Sequence, residues 1–136
     1  MKGKEFLIKS YKHWSVNIHH NQGCLGRCSL WYMGDGDKNL FELSREDEFG
    51  FWKVGKKVKT ALDGLFLPDK YYYFSAGLHT PHLHFHFIPR YKEKREFDGI
   101  VFEDPKPWRI PPAFKEVPQG TIFSIRDEIG KALDKL

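Results

Sequence analysis

The chain has 136 residues, of which 40% are hydrophobic, 16% aromatic and 29% charged. That is the length of one ordinary domain with enough apolar material to offset its ordering entropy, which excludes two full-sized domains and a disordered tail. Its 22 Lys and Arg against 18 Asp and Glu leave a formal charge of +4, which suits an anionic partner. The concentrated basic stretches of a dedicated nucleic-acid binder are missing, and phosphorylated small molecules fit the charge as well as nucleic acid does.

The N-terminal stretch Met1-Lys2-Gly3-Lys4-Glu5 is charged and leads into no long apolar run. Nothing in the chain approaches the ~18 consecutive apolar residues of a membrane span, so the expectation is a cytoplasmic protein without an export signal. Residues 14–18 alternate large and polar side chains, as a half-buried strand does, and His19-His20-Asn21-Gln22-Gly23 reads as a solvent-facing turn. A second strand is expected over 25–33, ended by Gly34-Asp35-Gly36-Asp37, because Gly and Asp tolerate positive φ. Cys24 and Cys28 are too few for a disulfide scaffold, and their spacing on an extended strand puts the thiols too far apart for one zinc ion, so both read as ordinary buried cysteines.

Ser44 followed three residues later by Asp47 is a helix start, and Phe51, Trp52, Val54, Val58, Ala61, Leu62 and Leu65 recur at spacings of three and four. The spacing predicts an amphipathic helix from Ser44 to about Gly64, with Lys53, Lys56, Lys57 and Lys59 on its solvated side. Residues 70–75 read as an aromatic strand, 77–81 as a turn and 82–88 as a second strand, closed by Pro89 because proline cannot donate to a ladder. Beyond Tyr91 lie a charge run and five prolines between 105 and 118; Trp108 among them is a candidate dimer contact. Helical spacing returns over 124–136, with Asp127 and Glu128 expected in the first turn. The class is therefore α+β: an antiparallel sheet with one long helix packed on it and a C-terminal helix, all in a single domain spanning 1–136, of which 92–136 wraps the core.

The segment His82-Leu83-His84-Phe85-His86-Phe87-Ile88 carries the functional argument. On a strand, alternate side chains share a face, so His82, His84 and His86 form a row spaced about 7 Å apart while Leu83, Phe85 and Phe87 turn to the core. Thr, Lys or Glu would serve equally well to face water, so three imidazoles point to chemistry. They could hold a metal, with His79 the nearest further ligand. They could equally work as a nucleophile with helpers, since imidazole, with an ordinary pKa near ~6.5, is largely neutral near pH 7 and can attack phosphorus.

The alternation of His with apolar residues over 82–88, with Pro81 before it and Pro89-Arg90-Tyr91 after it, resembles the signature of the histidine triad family of nucleotide hydrolases and transferases. The block Asn21-Gln22-Gly23-Cys24-Leu25-Gly26-Arg27-Cys28 is similar to microbial members of the dinucleoside polyphosphate hydrolase type, as is the segment from Phe97 to Pro105. The resemblance implies a histidine triad fold and a hydrolase or nucleotidyl transferase acting at the α-phosphate of a nucleoside, on a dinucleoside polyphosphate or an AMP conjugate. In that reading His84 is the nucleophile, and His82 and His86 orient it and neutralise phosphate charge. No cofactor is needed for the covalent step, although the substrate can enter as a magnesium complex. The implied substrate-binding residues are Asn17, His79, Arg27, Trp14 and Arg90, with Val16 and Leu25 beside the base, and the implied assembly is a homodimer. The chain departs from that pattern at Tyr72-Tyr73, at Gly77-Leu78 and at Met33-Gly34-Asp35, where a basic patch is usual; His79 or Arg27 are the residues to compensate. The alternatives are a nucleotide-binding module with little turnover and a metal-dependent hydrolase using the three imidazoles.

Overall fold

The computed structural model describes residues 3–77, 79–110 and 114–136. Nine principal elements follow in order: β1 (Leu7–Ser10), β2 (Trp14–Ile18), β3 (Cys28–Tyr32), α1 (Arg45–Phe66), β4 (Lys70–Phe74), β5 (His84–Arg90), β6 (Arg95–Phe97), β7 (Ile100–Phe102) and α2 (Gln119–Asp134). Five strands form one antiparallel sheet in the order β1-β2-β3-β5-β4, and β6 with β7 makes a separate hairpin. Leu78 and Pro111 to Ala113 lie outside the described residues, and with them half of the Gly77-Leu78 departure. Among the described residues, no helix is long and apolar enough to cross a membrane.

The sheet's two faces follow the period of two. Trp14, Val16, Cys28, Leu30 and Phe87 lie in the buried core, and α1 covers them: Phe51 of the helix meets Trp14 at 5.1 Å and Phe85 at 4.6 Å between ring centroids. The Trp14 Nε1–H donates to the Asp47 carbonyl at 2.9 Å, tying strand to helix. At the start of α1 the Ser44 Oγ accepts from the Asp47 N–H at 3.1 Å, as the cap pattern predicts. The helix runs two residues past Gly64 and stops at Leu67, which turns left-handed at φ 52°.

Three expectations change here. α2 starts at Gln119, so Asp127 and Glu128 sit well inside it and its first turn holds no acidic residue. It belongs to the core rather than to a wrapping extension: Ile122, Ile125, Ile129 and Leu133 are buried, and the helix packs on α1, β1 and β2. Each such side chain contributes about 1.5–3 kcal/mol of apolar burial. Pro89 lies inside β5 instead of closing it. The Arg90 carbonyl accepts from Asp69 N–H on the β4 side, so the neighbouring residue's amide position faces the opposite side, where β3 has already ended opposite Phe87. A missing donor costs no ladder bond there.

Candidate functional site

The other face of the sheet carries the polar residues. Register sets Asn17 beside Ser29, Ser29 beside His86, Trp31 beside His84 and Phe74 beside His86. Together with His19, His20, Arg27 and the loop residues Ala76, Gly77, His79 and Thr80, these line a cavity of about 470 Å³.

His84 is buried and its Nδ1 lies 2.9 Å from the backbone carbonyl of His82. A carbonyl only accepts, so Nδ1 carries the proton and Nε2 keeps its lone pair. Trp31 lies flat against the same ring, with centroids 4.1 Å apart and planes 8° from parallel. His86 stands 5.1 Å from His84 at 72°, and Phe74 stacks on it at 4.6 Å.

His82 departs from the expected row. β5 begins only at His84, so the alternation that would align three rings does not reach residue 82. Its Nε2–H donates to the Tyr32 carbonyl at 2.6 Å, its Nδ1 lies 3.8 Å from Asp37, and it is not among the cavity-lining residues. Its backbone carbonyl, rather than its ring, is what meets His84.

Arg27 is 8% exposed, its Nη2 lies 3.4 Å from His86 Nδ1, and its Nε has no hydrogen-bond partner. Among the described residues no carboxylate pairs with it. A buried guanidinium without a counter-ion is a ready site for an anion. The loop that delivers it explains the Asn-Gln-Gly block: Gln22, fully buried, donates to the carbonyls of His19 and Arg27, both at 2.8 Å, and accepts from Gly26 N–H at 2.8 Å. Gly26 adopts φ +90°, and a Cβ there would press on Phe66 at 3.0 Å. The neighbouring Asn17 side chain donates to Ser15 Oγ at 3.1 Å and leaves its buried Oδ1 without a partner.

Burial first, and then the Arg27 charge, holds the His86 imidazole down to about 4 and that of His19 to about 2. Both rings stay neutral in the fold where an unfolded chain would take up protons near its ordinary ~6.5. The unfolded state therefore binds more protons below that point, so stability falls as pH drops through 6.5 toward 4. Thermal melts between pH 7.5 and 5.5, a window above most carboxylate titration, should show a falling midpoint, and a His19→Gln/His86→Gln double variant should flatten the slope. An equally steep slope in the double variant would refute the neutral assignment.

The structure brings Asn17, Arg27, His79, His84 and His86 to the cavity, and leaves two of the expected substrate-binding residues elsewhere. Trp14 is fully buried under α1, as are Val16 and Leu25 in the core, because all three belong to the apolar face or its loop. Arg90 is fully buried against Asp104, with Nε–Oδ2 2.6 Å and Nη2–Oδ1 2.9 Å. His19, expected to face solvent, is half-buried and lines the cavity, whereas His20 is exposed as expected while also bordering the cavity, and the two rings stack at 4.5 Å. Trp31, Phe74 and Ser29 went unsingled in the sequence; the signal available was that Trp31 shares the phase of Ser29 on its strand. Cys24 and Cys28 are free and buried, which pushes both thiols up to about 12. Among the described residues, no three His, Cys, Asp or Glu side chains converge as a metal-ligating set.

No protein-family model matches the sequence, and no curated protein matches it. Solved structures do match. A protein of Sulfolobus tokodaii described as a hypothetical histidine triad nucleotide-binding protein shares 15% identity, with TM-score 0.71, over 96% of this chain and 85% of that one. A histidine triad protein of Marinobacter aquaeolei matches at 19% identity and TM-score 0.71, over 96% and 89% of the two chains. The diadenosine triphosphate hydrolase of Plasmodium falciparum matches at 14% identity and TM-score 0.69, over 98% and 79%.

Proposed function

We propose that this chain, whose fold is that of the histidine triad proteins, is a nucleotide hydrolase that works through a nucleotidyl-histidine on His84. The observation that carries the reading is the pairing of an imidazole locked with its Nε2 lone pair free against a buried arginine that lacks a counter-ion. One supplies a nucleophile and the other a seat for the phosphate it attacks. The hydrolase and nucleotide-binding protein among the structural neighbours support the same substrate class.

In this reading the α-phosphate of a nucleoside lies against Arg27 and His86. The His84 Nε2 lone pair attacks phosphorus, and the bond to the leaving oxygen breaks with its electron pair. Arg27 donates toward His86 Nδ1, which leaves the His86 proton on Nε2, free to bond a phosphoryl oxygen. Water then attacks the phosphorus, and the released nucleoside monophosphate restores His84. Asn17 and Ser29 offer further polar contacts on the same face, with His79 at the loop end of the cavity. His82 acts through its carbonyl, as the acceptor that fixes the His84 tautomer.

Diadenosine triphosphate, diadenosine tetraphosphate and adenosine phosphoramidate are the substrates to offer. AMP should be released, and rapid acid-free quenching followed by peptide mass spectrometry should find AMP attached to the peptide holding His84. Tight AMP binding by calorimetry with no turnover on the whole panel would instead indicate a binding module.

A further inference from the structure

We infer that Trp31 is a positioning residue for His84: it holds the plane of the imidazole and stabilises the positive charge that ring carries while its Nε2 is bonded to phosphorus. The inference rests on the covalent reading above and adds to it a residue whose contribution differs between the two halves of the reaction.

The geometry is unusually constrained. Trp31 and His84 are Cα partners across the β3–β5 ladder, and their rings lie 4.1 Å apart and 8° from parallel. The indole is itself pinned, because its Nε1–H donates to Ser29 Oγ at 2.9 Å, and Ser29 is only 4% exposed. The stack fixes the tilt of the imidazole, and the Nδ1–H bond to the His82 carbonyl at 2.9 Å fixes its rotation. Phe74 offers His86 a looser version of the same support, at 4.6 Å and 21°.

A cross-strand aromatic pair can serve the sheet alone, and that would stabilise every state of the ring equally. The chemistry argues for more. The form that can attack carries its proton on Nδ1, where the His82 carbonyl accepts it, and a lone pair on Nε2. When the Nε2 pair forms the bond to phosphorus, the phosphorus–oxygen bond to the leaving group breaks and takes its electrons with it. The ring keeps its Nδ1 proton and becomes cationic. The electron-rich face of indole attracts a cation far more than a neutral ring. The gain therefore arises along the way to the adduct and not in substrate binding, which is the condition for lowering a barrier. It disappears again when water cleaves the phosphorus–nitrogen bond and the ring returns to neutral.

Pre-steady-state kinetics with diadenosine triphosphate on the wild type, Trp31→Phe and Trp31→Leu separate these possibilities. In Trp31→Leu the rate of adduct formation should fall about tenfold, with KM changed less than about threefold, and less adduct should be present at steady state. Trp31→Phe keeps an aromatic face and should recover most of the rate. If Leu and Phe variants fall equally, or if Trp31→Leu loses only thermal stability, the indole is a sheet contact and the inference is wrong. If the wild type hydrolyses the substrate without forming any adduct, the covalent reading fails and this inference falls with it. A wild-type adduct with an indifferent Trp31→Leu overturns the inference alone.

Discussion

Replacing His84 by alanine should lower AMP release by at least about 10³-fold while AMP binding changes only a few-fold. The asymmetry follows from the division of labour in the cavity. In the proposed mechanism charge recognition lies with Arg27, which is 8% exposed and has no ion-pair partner of its own among the described residues, and it survives the substitution. The bond-forming electron pair lies on one atom, His84 Nε2, and does not. His84→Asn sharpens the test: its side-chain amide can still donate to the His82 carbonyl that now accepts from Nδ1, so the local backbone keeps its partner, but no comparable nucleophile replaces the imidazole. Both variants should therefore be equally dead and unequally stable. Calorimetric AMP titration, a turnover assay and a thermal melt on the three proteins read the separate quantities. Turnover within tenfold of wild type in either variant would remove His84 from the role of nucleophile.

How much of this was legible beforehand depends on which physical rule each residue obeys. Period-two alternation identified β2 and the polar–apolar split of β5, and the Ser44–Asp47 cap located the start of α1 to the residue. Such rules are local. The placing of His82 is not: it depends on where β5 begins, and that is set by the Tyr32 N–H donating to the Leu83 carbonyl at 3.0 Å and the His82 ring donating to the Tyr32 carbonyl. Trp14 and Trp31 are both strand tryptophans, and only sheet pairing tells which face looks toward α1 and which toward the cavity. Pro89 is non-local for the same reason, since a proline ends a strand only where a neighbour waits for its missing N–H. His19 lies in a segment with turn-like composition, yet Gln22 holds its carbonyl and folds that segment back so that the half-buried His19 ring lines the cavity. The motif block in 21–28 was visible as a pattern, but its work as a scaffold for Arg27 emerges only from the hydrogen bonds of one glutamine.

Arg90→Met should destabilise the fold by about 3–5 kcal/mol, the cost of breaking a buried ion pair by removing one member. Arg90 is fully buried and its fork serves several partners at once. Nε and Nη2 hold the two oxygens of Asp104 at 2.6 and 2.9 Å, Nη1 donates to the Arg109 carbonyl at 2.6 Å, and Nη2 also reaches the Lys106 carbonyl at 2.8 Å. The guanidinium also lies 4.4 Å from the centre of the Tyr72 ring, which gives one of the two tyrosines that depart from the family pattern a structural use. Methionine fills much of the volume but strands the Asp104 carboxylate and two carbonyls without donors. Lysine should rescue little, because a single ammonium cannot reproduce a planar fork bound on three sides. The companion Arg90→Met/Asp104→Leu variant removes both charges and should regain part of the loss, with a coupling energy of about 2 kcal/mol or more by double-mutant cycle. The same variants decide whether Arg90 touches substrate. The residue lies outside the cavity lining, so the folded fraction of Arg90→Met should keep its KM for diadenosine triphosphate within about threefold while its unfolding midpoint drops; a large rise in KM at unchanged stability would return Arg90 to the phosphate site.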